Sequence, residues 1–351
     1  MPDKMPCLIP PLPDARIALA IPHLGVYGGI RRFLELGEVW VRRGRQVAIF
    51  VPDPAAARPW LAFSGAILPL RELPLGGWDA VISPDPALFM EARSPGALRV
   101  YYSVLERAPD EDRALRAADL VLANSAGMRR YLRRKGVRAW DAAGGVNLAC
   151  FHPAPHQGPS GSVRVLVYGR LSRRRKGTWV AVQAIERAAE ASGVPVTLTL
   201  FDAPPEGEAP ALPRPLRIPH RWVLNPTQPE LAELYRASDL FISAERRAGW
   251  CNTAAEAMAS GTAVVCTRSG TEDFAIDGVT ATVSRWRFTW ALANAIRPLL
   301  ADSSRRASLA ARGVAKIQEF SWERTADRIE LALQSRLHGR VHGHVAATAA
   351  R

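Results

Sequence analysis

The sequence predicts an α/β chain of two doubly wound domains facing a central cleft. Three features carry that reading. Residues 16–51 form a strand–helix–strand unit, and the same alternation restarts beyond a Pro-, Gly- and Ser-rich stretch at 152–162. The length of 351 residues also exceeds what one hydrophobic core normally serves.

Each element has its own signal. "RIALAIP" (16–22) is a short apolar run that fits a buried strand, and the Gly-bearing turn "HLGVYGGI" follows it. "RRFLELGEVWVRRG" sets Phe33, Leu34, Val39 and Val41 at helical spacing, Gly44 stops that helix, and "QVAIFVP" is the next strand. Strand, helix, strand in that order predicts a parallel sheet. "WDAVIS" (78–83), "LRVYYS" (98–103) and "ADLVLANS" (118–125) read as further strands. In "SAGMRRYLRRKGV" (125–137) Ser125 caps a helix and Gly136 lies near its end. "HPAPHQGPSGS" (152–162) is the best linker in the chain. Beyond it "VRVLVYG", "PVTLTLF", "DLFISA" and "TAVVCT" read as strands. "TWVAVQAIERAAEA", "QPELAELYRAS" and the Ala-rich run ending at Gly261 read as helices. Two more helices (288–301 and 303–317) follow, and a last one starts near "SWERTADRIELALQ". The chain therefore divides into a disordered lead-in (1–15), an N-terminal domain (16–157), a C-terminal domain (158–319), a final helix (320–337) and a flexible tail (338–351).

Apolar residues make up 48% and charged residues 23%, the balance of a soluble globular chain. No apolar run approaches the roughly 18 residues of a membrane span. "MPDKMPCLIPPLPDA" lacks the basic-then-apolar order of a secretion signal. Cys7, Cys150, Cys251 and Cys266 are scattered without metal-ligand spacing, which predicts a reduced, cytoplasmic protein with no metal site. A net charge of +13 favours anionic partners: nucleotide phosphates, nucleic acid or an acidic membrane face. The chain lacks a recognised nucleic-acid module, so no nucleic-acid partner is expected.

Ligands of doubly wound sheets bind beyond the carboxyl ends of the strands, so the turns there are where function belongs. In "YGRLSRRRKGTW" (168–179) a strand ends at Gly169, five cations follow (Arg170, Arg173, Arg174, Arg175, Lys176), and a helix opens. Helix-start amides favour an anion, and guanidinium forks with a lysine suit a diphosphate. A solvated basic loop is the plainer alternative, although five cations oppose the helix dipole until an anion arrives. "VYGGIRR" (26–32) puts Gly28 and Gly29 in the first strand–helix turn, where glycine lets backbone approach a ligand; a simple turn is the alternative. "AGWCNTAAEAMASGTAVV" (248–265) carries Glu256 near a helix start. Thr253 and Glu256 fit the S/T-x-x-E capping box, and a carboxylate equally suits the paired hydroxyls of a ribose. Spacing does not choose between these two.

"GRL" with "KG", then "ELAELYRASDLFISAERRAGWCNTAAEAMASGTAVVCTRSGTEDFAIDG", then "FSWE", resembles the C-terminal domain of retaining family 4 glycosyltransferases of the GT-B fold, with its two Rossmann-like domains. "GGI", "AADLVLANSAGMRRYL" and "GGVNLACFHP" agree with the N-terminal half, and the resemblance covers residues 16–335.

What this resemblance implies follows position by position. Arg170 and Lys176 would bind the donor diphosphate and carry catalysis by neutralising charge on the leaving group. Glu256 would hold the donor ribose while capping its helix. The backbone of Gly249, Trp250, Cys251, Asn252 and Thr253 would face the donor sugar and phosphate. "RWVLNP" (221–226), with Leu224 and Asn225, would pass beside the nucleobase. Gly28 and Gly29 would lie close to the diphosphate. Asp273 stands at an acidic position closing "SGTED", and the last helix would cross back onto the N-terminal domain. The implied reaction moves a sugar from a nucleoside-diphosphate sugar to a hydroxyl of a sugar, lipid-linked or small-molecule acceptor, with retention. Cell-surface polysaccharide or glycolipid assembly is the implied setting. No cofactor or metal is expected, the nucleotide sugar being a co-substrate.

Four features depart from the family pattern. The second glutamate expected eight residues before Glu256 is Ala248, and Glu245, three residues earlier, is the candidate substitute. The usual Gly-Leu after the aromatic is Cys251-Asn252, which offers an amide to a sugar hydroxyl. The gap between Arg170 and Lys176 is one residue longer than the commonest form. "YYSVLERAPD" lacks the histidine often found there, and Glu106 stands in that turn. Ala248 leaves a second reading open, a non-catalytic relative that binds nucleotide sugar or glycan. Finally, "MRRYLRRKGVR" (128–138) puts six cations on or beside one helix. A solvated face explains them as well as peripheral docking on an anionic inner-membrane face.

Overall fold

In a computed structural model of the chain, residues 15–25, 28–54, 59–154, 161–204, 208 and 210–349 are described, with backbone alone over 338–349. The lead-in up to residue 14 and the middle of the expected linker (155–160) lie outside the described residues. The chain forms two compact units. One runs to Asn124, takes in Arg129–Ala142 and regains the chain from Trp322; the other holds Ser125–Met128 and Ala143–Ser321.

The first unit contains β1 (Arg16–Ala20), α1 (Gly28–Arg42), β2 (Gln46–Val51), β3 (Ala66–Pro69), β4 (Ala80–Ser83), α2 (Pro86–Glu91), β5 (Leu98–Ser103), α3 (Glu111–Ala117), β6 (Leu120–Ala123), most of α4 (Ala126–Arg134) and β7 (Trp140–Asp141). Its strands pair in the order β3-β2-β1-β4-β5-β6-β7 and are parallel throughout. β4 and β6 are buried along their whole length, as strands covered on both faces must be, which is why they read as unbroken apolar runs. α1 buries Ile30, Phe33, Leu34, Leu36, Val39 and Trp40 against this sheet.

The last helix, α10 (Trp322–Ala349), belongs to the same core. Trp322, Ala326, Ile329 and Leu333 recur at three- and four-residue spacing and are buried in the cluster that holds the α1 side chains. Charged pairs flank that stripe: Arg43 with Asp327 (2.9 Å) and Glu330 (3.0 Å), and Arg45 with Glu330 (3.2 Å). The backbone stays helical past residue 337 to Ala349, through the stretch that showed no fold signal in the sequence.

The second unit contains β8 (Val163–Tyr168), α5 (Thr178–Ser192), β9 (Val196–Asp202), β10 (His220–Leu224), α6 (Gln228–Arg236), β11 (Leu240–Ser243), α7 (Asn252–Ala259), β12 (Ala263–Thr267), β13 (Thr282–Ser284), α8 (Thr289–Ala301) and α9 (Ser303–Ile317). The sheet order is β10-β9-β8-β11-β12-β13, again parallel. This unit takes up the chain at Ala143, before the Pro-, Gly- and Ser-rich stretch. Val146 donates its amide to the Phe320 carbonyl at 2.8 Å, and the Phe151 ring meets Tyr235 with centroids 6.0 Å apart. Those apolar anchors draw residues 143–151 into the second core. α6 starts at a capping box in which Thr227 and Glu230 exchange bonds, with Pro229 in its first turn, where a missing amide hydrogen costs nothing.

In each sheet the order reverses beside the first strand, between β1 and β4 and between β8 and β11. Chain entering and leaving on opposite sides opens a crevice at those carboxyl ends. One glycine sets the second crevice. Gly177, at the start of α5, has φ of +70°, and a Cβ there would lie 2.1 Å from the Ala244 carbonyl oxygen. We expect Gly177→Ala to lower unfolding free energy by about 2 kcal/mol or more, combining left-handed strain with a backbone clash. Gly193→Ala, at φ +66° with open space around it, should cost only about 1 kcal/mol. Urea midpoints at unchanged slope measure both, and equal losses would dismiss the close approach at Gly177.

Candidate functional site

The site is assembled on the carboxyl ends of β8, β9, β11 and on the start of α7. β8 ends at Tyr168. Gly169 then bonds the Phe201 carbonyl at 2.7 Å, and a Cβ on it would strike the Trp222 ring at 2.3 Å. A side chain at this position would have to push the Trp222 ring aside. Arg170 is buried; its Nε donates to Asp202 Oδ1 at 2.7 Å and its Nη2 to the Ala203 carbonyl. Lys176 closes a short 3-10 turn (Arg174–Lys176), and its Nζ donates to Glu245 Oε1 at 2.6 Å.

The two expected cations meet at one ring. The Arg170 guanidinium lies 5.9 Å and the Lys176 ammonium 5.4 Å from the Tyr168 ring centre. Burial pushes the Tyr168 hydroxyl up to about 12, against the pull of Arg170 and with Asp202 and Glu245 adding to the rise. Tyr168 therefore stays a neutral phenol at physiological pH.

Glu245 leaves β11 as a buried carboxylate. Its Oε1 takes the lysine, its Oε2 takes the Cys251 thiol at 3.6 Å, and its carbonyl accepts the Thr267 hydroxyl at 2.6 Å. Burial, with Glu245 next to it, pushes the Cys251 thiol up to about 11, so Cys251 is a neutral donor to that carboxylate. Ser243 and Thr253 hydroxyls each lie 3.6 Å from the same sulfur. A small pocket opens here between β8 and β11, bounded by Tyr168, Lys176, Thr178, Ser243, Glu245 and Thr253. The adjoining loops are tied together: the Arg246 amide donates to the Arg175 carbonyl at 2.8 Å, and Arg287 donates to the carbonyls of Ala244 and Arg174, both at 2.6 Å.

The capping box expected from Thr253 and Glu256 does not form. α7 begins at Asn252 with Cys251 as its N-cap, so both residues fall inside the helix. The start is set from outside: the Cys251 amide donates to the Gly270 carbonyl at 2.8 Å, and Trp250 is wedged against Gly144, Phe274 and Phe320. Glu256 is only 3% exposed, and its Oε2 accepts the Tyr235 hydroxyl at 3.2 Å. Its carboxylate thus serves a buried contact between α6 and α7 rather than the helix cap.

The remaining expected residues sit as follows. Gly249 is buried beside Trp250, and Asn252 is half-buried in the first turn of α7. Leu224 ends β10 half-exposed, and Asn225 turns at φ +51° with its amide on the Asp202 carbonyl at 2.7 Å. The Ala248 amide bonds the Ser269 hydroxyl at 2.9 Å. Asp273 accepts the Ala126 amide at 2.8 Å, capping the start of α4 together with Ser125. In the first unit Gly28 and Gly29 open α1, and a Cβ on Gly29 would meet nothing within 4 Å. Glu106 is half-buried in its turn; the buried acid nearby is Glu111, which accepts Ser103, Tyr131 and Lys135. Of the α4 cations, Arg129 pairs with Asp141 and Lys135 with Glu111 and Asp112, while Arg133, Arg134 and Arg138 are exposed.

So Lys176, Glu245, Cys251 and Thr253 converge, Arg170 adjoins them through Tyr168, and Glu256 stands apart on Tyr235. Sequence reasoning missed Asp202 and Tyr168. Both are the last residues of apolar strands, and that strand-end position was the one available signal.

Known proteins bear on this geometry. Residues 162–302, a span that includes the whole β8–β13 sheet, match the family model described as Glycosyl transferases group 1. A D-inositol 3-phosphate glycosyltransferase of Xylanimonas cellulosilytica is 31% identical over 180 residues, 48% of this chain and 41% of that protein. The chain spans less than half the length of the curated relatives it matches. Among solved structures, sucrose-phosphate synthase from Thermosynechococcus elongatus has a TM-score of 0.71 at 21% identity, covering 95% of this chain and all of that one. Anabaena HepE in complex with UDP and glucose has a TM-score of 0.70 at 16% identity, over 92% of this chain and 100% of that one. These likenesses speak to architecture: the chain has the two parallel-sheet, Rossmann-like domains of the GT-B fold, and residues 162–302 carry its match to the group 1 glycosyltransferase domain.

Proposed function

We propose that this chain is a retaining, metal-independent glycosyltransferase of the family 4 type, moving a sugar from a nucleoside-diphosphate donor to an acceptor hydroxyl. One observation carries the reading: Lys176 and Glu245 face each other across the β8–β11 crevice, within the span that matches the group 1 domain. A donor diphosphate would take Lys176 from Glu245, so the anion that enters replaces the carboxylate it displaces. Glu245, released, would accept a hydroxyl of the donor sugar, the task that Ala248 cannot perform. The first-turn amides of α7 and the basic turn at 173–176 add to the phosphate's binding. Arg170, oriented by Asp202, and Lys176 would stabilise the leaving diphosphate, one of whose oxygens takes the acceptor proton on the same face. Glu256 is assigned to the donor ribose, and Leu224 and Asn225 to the nucleobase. The UDP bound to HepE makes uridine diphosphate the first nucleotide to try. The acceptor is a sugar, lipid-linked or small-molecule hydroxyl in polysaccharide or glycolipid assembly. The exposed Arg133, Arg134 and Arg138 of α4 and its flank would favour the anionic cytoplasmic membrane face.

Ala248, together with the pairing of Arg170 and Lys176 to carboxylates, favours a second reading as a non-catalytic nucleotide-sugar binder. Donor turnover separates the two: binding without transfer or donor hydrolysis would move the chain to that reading.

A melting-temperature panel of nucleoside diphosphates and their sugars should show one selective rise for the unmodified chain. Lys176→Met should weaken that nucleotide by about tenfold or more and cut turnover by about 100-fold. Glu256→Gln keeps an acceptor for Tyr235 and should retain the fold while weakening only ligands that carry the ribose. An unchanged shift in both variants would place the nucleotide elsewhere. Gly29→Ala has room for its methyl and gains helix propensity, so its stability should hold or rise slightly. Its donor affinity should nevertheless fall by about tenfold if backbone at that turn touches the diphosphate, and calorimetry that finds equal affinity removes Gly29 from the site.

A further inference from the structure

Three large apolar side chains stand exposed side by side in the turn between β13 and the first turn of α8: Trp286, Phe288 and Trp290, each at least half exposed. Their rings form a row, with centroids 6.4 Å apart at 30° and then 6.3 Å apart at 11°. Single exposed apolar residues are ordinary on a protein surface; a contiguous aromatic row marks a contact site. The row is braced from below. The Ser284 hydroxyl donates to the Trp286 carbonyl at 2.7 Å, and Arg287, between the first two rings, is tied to the Ala244 and Arg174 carbonyls.

The charge around the row has one sign. Arg285 is exposed, with its guanidinium 5.2 Å from the Trp286 ring centre, and Arg297 is exposed two turns along α8 from Trp290. The sequence holds no acid between Asp277 and Asp302. α8 starts with no acid in its first turn and no side-chain cap, so its dipole adds to the positive field. A surface built for neutral sugars mixes rings with carboxylates and several amides that hold hydroxyls; here Asn294, one turn beyond Trp290, is the one exposed amide of the segment, and its charged groups are all cations. Indoles with an apolar body and a polar edge fit the boundary between headgroups and acyl chains, and arginines fit lipid phosphates. No helix among the described residues is long and apolar enough to cross a membrane, so such a contact is a surface one.

We infer that residues 285–290 form an interfacial foot that docks the second unit on an anionic bilayer. Trp286, Phe288 and Trp290 enter the headgroup boundary, and Arg285 and Arg297 meet lipid phosphates. This inference stands apart from the sugar-transfer reading and from the α4 cations, and rests on a different unit from most of that helix.

The test is co-sedimentation of the full chain with vesicles of phosphatidylcholine alone or containing about 30% phosphatidylglycerol. The unmodified chain should bind the anionic vesicles selectively. The triple variant Trp286→Ser, Phe288→Ser, Trp290→Ser should bind them at least about tenfold more weakly. The two indoles keep about half of their surface packed, so the triple variant should lose some stability; Phe288→Ser alone, at the most exposed ring, should keep the melting temperature and still bind the anionic vesicles several-fold more weakly. No binding by the unmodified chain, or equal binding by the triple variant, overturns the inference. Binding that survives the triple change but is lost in Arg133→Ser, Arg134→Ser, Arg138→Ser assigns the contact to the α4 region and also overturns it. So does ring-dependent binding of a single-stranded oligonucleotide, tested in parallel, without vesicle binding.

Discussion

The pairing of β8 with β11 governs the second unit. These strands are neighbours in the sheet but are separated in the chain by α5, β9, β10 and α6, because the sheet grows first to one side of β8 and then to the other. The loops that leave their carboxyl ends diverge, and the gap between them cannot be closed by secondary structure. Everything placed there is held by side chains or by backbone contacts of low tolerance. The loop after β8 returns on Gly177 and touches the Ala244 carbonyl, and Arg287 ties both loops from outside. Lys176 and Glu245 then face each other across the gap, on loops already joined by those contacts and by the Arg246 amide on the Arg175 carbonyl.

The same constraint shapes the electrostatics. Four charged groups lie around one neutral phenol: Arg170 with Asp202, and Lys176 with Glu245. Buried pairs of this kind are costly to desolvate and add little net stability over apolar packing. On the proposed reading their value lies in exchange: an anion entering the crevice would compete with Glu245 for the partly exposed Lys176 and would free that carboxylate for hydroxyls. Cys251 keeps that carboxylate in place as a neutral thiol, which a thiolate at the same position could not do.

Charge also divides between the two units in kind. On and beside α4, Arg129 is matched by Asp141 and Lys135 by Glu111 and Asp112, so a large formal charge in the sequence becomes a smaller free one. Around Trp286 the arginines are fewer, but the chain supplies no acid over more than twenty residues to offset them. Net charge alone did not distinguish these two cases.

Much of the architecture was legible in the sequence. Long buried strands announce themselves as apolar runs, amphipathic helices as stripes, and their alternation as a parallel sheet, because burial on known faces leaves a local pattern. β3, β7 and β13 are only partly buried, so they lack the unbroken apolar run that marks the equally short β4, β6 and β11, and they exist through their neighbours. The basic loop, the glycines and the α7 run were legible as a candidate ligand site from residue type and position after a strand. What the tertiary structure alone decided were the partners: Arg170 to Asp202, Lys176 to Glu245, Glu256 to Tyr235, and Cys251 in place of Thr253 at the helix start. Those contacts join residues on different strands and helices. Their selection depends on which loops the sheet order brings together, and strand order leaves no local mark on the chain.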